Sequence, residues 1–346
     1  MKTKYVLLMI IVLVLSICCY SCLGNRTLRV YNWDDYINPE LVKTFENKFK
    51  CKVEIEIYGS EAELQATIEK HEKVYDLIVA SSQSAKALYE KRLLKDIDLT
   101  KIKNTKNIDL TITRKGTDPN MKYTVPYMIN FTGILYNKNK VKNFRPSWTM
   151  YGRPELTGKI ALLNDTREVI GAASKVLNYS YNGSDDIQLK RASDLVFNWK
   201  RNGVEFGNNR DLEAGLIAGR YDMIQDYNGD ALTLMSEYPE LDFVLPEEGT
   251  AISLDNFAIP LISTNSKVAC EFINFFLDAD NAKENMLYVS YIAPNLEAKK
   301  LLPNEFVKNT SINPPDMFFL KSEFVLDLGD DNEKYARLWA TLSESK

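Results

Sequence analysis

Hydrophobic positions recur along the chain at two alternating spacings, and the order in which those spacings change predicts the fold. LRVYNW (28–33) alternates as a strand. Asn38 and Pro39 then supply a cap and a first-turn proline for the helix PELVKTFENKFK, whose Leu41, Val42, Phe45 and Phe49 share one face. CKVEIEI (51–57) alternates again through Val53, Ile55 and Ile57, and SEAELQATIEK opens with Ser60 three residues before Glu63, a capping box. YDLIVASS (75–82) is a short, nearly continuous apolar run of the kind buried in a parallel sheet, and the helix SAKALYEKRLL follows it. Successive β-then-α units of this kind predict an open α/β sheet.

The pattern restarts at GKIALLND (158–165). It continues through REVIGAASKVL, DIQLKRASDLVFNWK, DLEAGLIAG, YDMIQDY, GDALTLMSEY and LDFVLP. A chain of 346 residues also exceeds what one hydrophobic core ordinarily serves, so two lobes are expected. Two strand-like stretches, YTVPYMINFTGILYN and AISLDNFAIP, sit where one set of units gives way to the other. No Gly/Ser-rich linker separates the sets, so the lobes are expected to share crossovers, near Phe131 to Leu135 and again near Ile252 to Asn256. The helical pair KVACEFINFFLD and NAKENMLYVS is expected to return to the first lobe, and NEKYARLWATLSE to form a terminal helix. The division predicted is a signal segment over 1–22, a first lobe from 26–131 with 256–302, and a second from 132–255 with 303–346.

The start of the chain sets the compartment. Lys2 and Lys4 precede 13 apolar-rich residues from Tyr5 to Ile17, which matches a signal-peptide core. The run falls short of the ~20 residues that a spanning helix needs. Export is predicted. Ser21 and Cys22 in ICCYSCLGN resemble a bacterial lipobox, with Cys19 where leucine is usual; a plain signal peptide with incidental cysteines is the alternative. An acylated Cys22 would hold the protein on a membrane.

Composition then excludes several chemistries. Of five cysteines, Cys18 and Cys19 leave with the signal and Cys22 becomes the anchor, so Cys51 and Cys270 remain as small buried hydrophobes with no disulfide framework. One histidine, His71 at the end of a charged helix, cannot supply a histidine metal site or a Ser-His-Asp triad. No cofactor motif is present. Forty-three Lys and Arg against 47 Asp and Glu, a net charge of −4, leave no electrostatic footprint for nucleic acid.

Three acidic clusters remain. VYNWDDYI (30–37) crowds Trp33, Asp34, Asp35 and Tyr36 at the carboxyl end of the first strand, where open α/β sheets bind ligands, although for such a cluster taken alone a turn with solvated acids and rings over a core edge is the commoner arrangement. NDTRE (164–168) spaces Asp165 and Glu168 as a capping box or as two acids of a cleft. Asp255 in SLDNF lies in an apolar strand, where a carboxylate needs a partner, either a Lys or Arg or a cationic ligand.

Taken in order, VYNWDDYI, YDLIVASS, VPYMINFTGILYN, SWTMYGRPELTGKIALLNDTREV, YDMIQDYNGDA, LDNFAIP and YIAPNLEAKKLL resemble the polyamine-binding proteins of bacterial ABC importers, the spermidine/putrescine-binding members above all. The resemblance spans essentially all of the chain after the signal segment. It implies an α/β, two-lobed periplasmic-binding-protein (type II) fold with a ligand cleft between the lobes. It places Trp33 and Tyr36 in the cleft with Asp34 and Asp35 beside them, Asp165 and Glu168 on one ammonium group, Asp255 on a central amine, and Tyr291 as a cleft ring. Tyr227 stands in place of a family tryptophan. The departures are Ser253 for a second tryptophan, Gln83 or Ser84 for a cleft tyrosine, and Val325 for a glutamine; Asp226 and Asp230 are nearby replacements. The function expected is a non-catalytic, membrane-anchored periplasmic lipoprotein that captures spermidine or putrescine and delivers it to an ABC permease, without a cofactor and without nucleic acid. The alternatives are an enzyme acting on a cationic or sugar-like ligand through an acid pair, and a surface lipoprotein that has lost transport and binds a protein partner.

Overall fold

The structure, a computed structural model, describes residues 26–344; the signal segment and Cys22 lie outside them. Strand β1 (Arg26–Asn32) and strand β2 (Cys51–Ile57) run parallel in register along their whole length, from Arg26 opposite Cys51 to Asn32 opposite Ile57. The crossover between them is helix α1 (Pro39–Phe49). Asn38 accepts the Glu40 N–H, proline occupies the first turn, and Leu41, Val42 and Phe45 are buried against the sheet. Helix α2 (Glu61–Lys70) starts at Ser60, whose hydroxyl accepts the Glu63 N–H at 3.2 Å. Glu63 returns its carboxylate to Gly59 N–H and not to Ser60, so the box closes one residue early. Strand β3 (Leu77–Ser81), buried throughout, lies parallel to β1 and feeds helix α3 (Ser82–Glu90).

Strand β4 (Thr124–Asn137) joins two bodies of sheet. Thr124 to Phe131 pair antiparallel with strand β9 (Ala251–Ala258), which also lies antiparallel to β3. From Thr132 onward β4 pairs instead with strand β7 (Met223–Tyr227), and from Ile134 also with strand β8 (Leu241–Val244). Strands β5 (Ile160–Leu163) and β6 (Glu205–Gly207) complete this part, in the order β2-β1-β3-β9-β4-β7-β5-β6. At three residues, β6 is too short to show a period in the sequence.

Each part has its own core. Leu28, Val30, Phe45, Leu77, Val79 and Phe257 pack with helix α8 (Ser266–Phe276) and helix α9 (Ala279–Val289) in one. Trp148, Tyr151, Ile160, Val169, Ile170 and Trp199 form another, around helix α4 (Thr166–Val176) and helix α5 (Asp186–Arg201). Helix α6 (Asn209–Ile217) and helix α7 (Asn228–Glu237) cover the opposite side of the second sheet through Leu212, Leu216 and Ala231. The stretch expected to belong to the second lobe divides over its described residues, 303–344: Phe306, Ile312, Phe318, Phe319 and Phe324 lie against the first core, where strand β10 (Glu323–Phe324) pairs with β9, while Tyr335 and Leu342 of helix α10 (Asn332–Glu344) lie in the second. Cys51 and Cys270 are free and buried. Among the described residues, no helix is long and apolar enough to cross a membrane.

Just past the exchange of partners, Gly133 lies so close to β8 that a Cβ there would sit 2.3 Å from Phe243 Cζ and 2.6 Å from the Val244 carbonyl oxygen. No side chain fits without displacing the strand. Gly133→Ala is expected to cost about 1–3 kcal/mol by overpacking. It should lower the denaturant midpoint with little change in slope; an unchanged midpoint would show that β8 yields freely.

Candidate functional site

The chain leaves β1 and turns at once into the first wall of the site. Trp33 packs its ring on Tyr58, centroids 4.2 Å apart and tilted by 49°. Tyr58 is itself fixed by donating its hydroxyl to the Val79 carbonyl at 2.7 Å. Tyr36, 6 % exposed, donates its hydroxyl to Asp255 Oδ2 at 2.7 Å. Its ring meets Tyr127 and Tyr291 edge-on, with centroids 5.6 and 5.2 Å away. Tyr127 in turn donates to the Tyr36 carbonyl at 2.6 Å and accepts from Asn285 Nδ2 at 2.8 Å, so a helix of the first core holds the ring cluster in place.

Asp255 sits in the middle of β9, opposite Ser81 on one side and Met128 on the other. Strand alternation puts Ser253 on the same face, and Asn130, opposite Ser253, reaches Asp255 Oδ2 through Nδ2 at 3.1 Å. Asp255 is 5 % exposed. Burial pushes its pKa up to about 7 against the Tyr36 hydrogen bond, and the field of Glu61 raises it further. Tyr36, Glu61 and Asn130 act on it, and among the described residues no Lys or Arg pairs with it.

Glu61 was not singled out by its sequence, since a glutamate in a helix's first turn ordinarily serves the helix dipole. Here Oε1 accepts the Ser81 N–H at 3.2 Å, while Oε2 is buried without a partner. Burial raises its pKa, the Ser84 and Ser81 hydroxyls oppose the rise, and Asp165 adds to it. Glu61 therefore lies within the fields that join Asp255 to the acids of the second core. Ser84 is buried and takes Gln65 Nε2 at 2.8 Å; Gln83 beside it is half-buried.

The opposite wall comes from α4 and the end of β7. Asp165 caps α4, its Oδ1 accepting from Arg167 N–H at 2.8 Å and Glu168 N–H at 3.2 Å, which leaves Oδ2 outside the cap. Glu168 does not complete a capping box. Its Oε2 instead accepts the Tyr181 hydroxyl at 2.8 Å, and the residue is 5 % exposed. Burial pushes Glu168 up to about 7, with Asp165 adding to the rise and the Tyr181 hydrogen bond opposing it. Burial likewise raises Tyr227, followed by the fields of Glu168, Asp165, Asp230 and Asp255, which places this half-buried ring among acids of both walls. Tyr291 lies flat on Gly229, where a Cβ would stand 2.2 Å from the ring; only glycine permits that approach.

The structure thus brings Tyr36 into direct contact with both Asp255 and Tyr291 and sets Asp165, Glu168 and Tyr227 within electrostatic reach. Asp34 is committed to an ion pair with Arg210 of α6. Asp35, exposed, adopts a left-handed backbone at φ 48°. Ser253 is half-buried and supplies no ring. Val325 is buried with Tyr181 and Ala251, its N–H on the Ile252 carbonyl at 3.0 Å, so it contributes backbone to β9 and no polar side chain to the site. The residues that sequence reasoning missed are Glu61, Asn130, Tyr58, Tyr127 and Arg210, each an ordinary member of its element until the two sheets are brought together.

Residues 40–315 match the family of bacterial extracellular solute-binding proteins. The chain is 30% identical over 324 residues, 93% of each chain, to the spermidine/putrescine-binding periplasmic protein of Salmonella typhimurium. A putative spermidine/putrescine ABC transporter structure from Listeria monocytogenes superposes with TM-score 0.85 at 29% identity, over 93% of this chain and 100% of that one. The TpPotD lipoprotein of Treponema pallidum superposes with TM-score 0.81 at 26% identity, over 91% and 99%. Two sheets sharing β4, ringed acids where they meet, and agreement over nearly the whole described chain lead to one conclusion: this chain is a member of the bacterial extracellular solute-binding protein family, with the two-lobed periplasmic-binding-protein fold.

Proposed function

We propose that the site takes a linear polyamine, spermidine or putrescine, and that the protein captures it outside the cytoplasm for an ABC permease without chemical turnover. The observation that carries this reading is Asp255: a buried carboxyl that takes the Tyr36 hydroxyl, with Tyr127 and Tyr291 edge-on to that ring, and that has no ion pair with a Lys or Arg among the described residues. Buried acceptors left unpaired, Glu61 Oε2 and Asn130 Oδ1, stand beside it. An ammonium group satisfies such oxygens, and aromatic faces suit the methylenes between ammoniums. Charge-assisted hydrogen bonds contribute about 1.5–3 kcal/mol each and cation–π contacts about 0.5–2, so a few of each reach micromolar affinity after ordering costs. The names of the relatives from Salmonella and Listeria support the ligand class.

The same reading assigns residues 26–131 with 256–302 to one lobe and 132–255 to the other, apart from Ile252 to Asp255, which pack or pair with the first core, and splits the tail, 306–324 with the first lobe and Tyr335 and Leu342 with the second. Trp33 and Tyr36 belong to the first, Asp165, Glu168 and Tyr227 to the second. It includes export directed by the first 22 residues and anchoring through an acylated Cys22, in line with the Treponema relative that is a lipoprotein. A ligand that touches both walls favours the closed arrangement through its differential affinity, with β4 and β9 as the hinge.

Three outcomes follow. In calorimetry, Asp255→Asn is expected to weaken spermidine or putrescine binding at least tenfold while the ligand-free protein folds normally, because Asn keeps a partner for Tyr36. Equal affinity in the variant would remove Asp255 from the site.

The second concerns pH. Asp255 and Glu168, both pushed up to about 7, hold protons in the fold that the unfolded chain loses near pH 4. Their contribution to stability is complete below about pH 4 and is lost as pH rises through about 7. Asp255→Asn should therefore gain melting temperature relative to the parent between about pH 5 and pH 8. Polyamine affinity of the parent should rise over about pH 6 to 8 as binding releases the protons; a falling affinity would contradict it.

The third concerns motion. Polyamine should reduce the radius of gyration in solution scattering and shift tryptophan emission, with Trp33→Phe losing most of the optical change. An unchanged scattering profile at saturation rejects the hinge.

A further inference from the structure

Acid groups of the cleft gather at three stations, which differ in whether the protein already serves them. At the first, Asp255 takes two neutral donors, Tyr36 and Asn130, while Asn130 Oδ1 and Glu61 Oε2 remain buried without a partner. At the second, Asp165 keeps Oδ2 outside the α4 cap and Glu168 takes the neutral Tyr181 hydroxyl. Arg167, between them in sequence, turns its guanidinium away, to the Leu326 carbonyl at 2.9 Å and to Asn182 Oδ1 at 2.8 Å. Among the described residues, no Lys or Arg forms an ion pair with the acids of either station.

The third station is served from within. Asn209 on α6 gives Nδ2 to Asp230 Oδ2 at 2.9 Å and to Glu213 Oε1 at 3.1 Å. The next residue, Arg210, pairs its guanidinium with Asp34 on the turn after β1, so a cation of the second sheet reaches across to the first wall. Burial raises the pKa of both Glu213 and Asp230, and Arg210 opposes the rise in both. Asp226, 0 % exposed, is held well above the usual carboxylate range by burial and by those two acids, which favours its neutral form. Asp230 also meets Tyr291 and the field of Asp35, which places Arg210 at one end of the row of rings and acids that contains Tyr36 and Asp255.

We propose that Arg210 is a specificity-determining residue of the cleft: a built-in cation that fills the third station and selects a diamine, with two ammonium groups, over a triamine such as spermidine. It presupposes the polyamine reading and narrows it to one class. Two stations lack a cation, and a chain with two ammonium groups supplies one to each. A third ammonium would meet a guanidinium that stays charged throughout the physiological range, with Asn209 already on the carboxylates beside it. Repulsion between like charges then separates two ligands that the attractive contacts alone would both accept.

Calorimetry with putrescine and spermidine on the parent, Arg210→Ala and Arg210→Lys tests this. The Arg210 side chain is 74 % exposed, so all three proteins should fold alike. The parent should bind putrescine more tightly than spermidine. Arg210→Ala should raise spermidine affinity relative to putrescine at least tenfold, and Arg210→Lys, which keeps the charge, should retain the parent's preference. Comparing the two ligands within each protein cancels any general weakening from loss of the Asp34 pair, which would act on both. A parent that prefers spermidine, a ratio that Arg210→Ala leaves unchanged, or a Lys variant that behaves as the Ala variant does would each overturn the assignment while polyamine binding itself stands. A parent that binds neither amine overturns the polyamine reading, and the role of Arg210 with it.

Discussion

A carboxyl group buried in the middle of a sheet without a cation is the constraint on which the rest of this structure turns. Asp255 has two hydrogen-bond donors, Tyr36 and Asn130, to satisfy it in part, and burial still makes it costly to ionise, pushing its pKa up to about 7. Removing that cost requires a positive charge from outside. The surroundings are arranged so that such a charge finds aromatic edges and further carboxyls: Tyr36 and Tyr291 in contact, Glu61 within the same field, and Glu168 with its own raised pKa across the gap. Burial of acids that destabilises the empty protein is the same property that makes a cation welcome.

Packing explains how those groups can be both rigid within a wall and movable between walls. Tyr36 is fixed from behind by Tyr127, which is fixed by Asn285 of α9; Glu168 is fixed by Tyr181. Neither anchor crosses from one core to the other. The main covalent bridges are β4, which exchanges β9 for β7 between Phe131 and Thr132, and β9 itself. A ligand held by Asp255 and Glu168 together would tie two cores that the backbone joins through β4, β9 and the tail after Phe324.

Much of this was legible in the chain. Hydrophobic period gave the βα units, Asn38, Ser60 and Asp165 marked helix starts that the structure uses as caps, and the placement of VYNWDDYI after β1 pointed to the site. What could not be read was set by contact between distant segments. NDTRE fits a capping box and a cleft acid alike, and the Tyr181 hydroxyl that takes Glu168 in place of a backbone N–H comes from a segment whose approach the local sequence does not show. Glu61 is hidden because a first-turn glutamate is common, and Asn130 because a polar residue in a strand announces a face but not its neighbour. The division of 303–346 between both cores depends on phenylalanines whose spacing shows no period.

The account rests on an ammonium group becoming the partner of Asp255, and the ionisation of that one carboxyl reports on it directly. Carbon-13 NMR titration of the labelled Asp255 side chain, with and without saturating spermidine, measures it. The account predicts a carboxyl that titrates near about 7 in the empty protein and is ionised down to about pH 5 or lower in the complex. A titration unaltered by saturating ligand would contradict it.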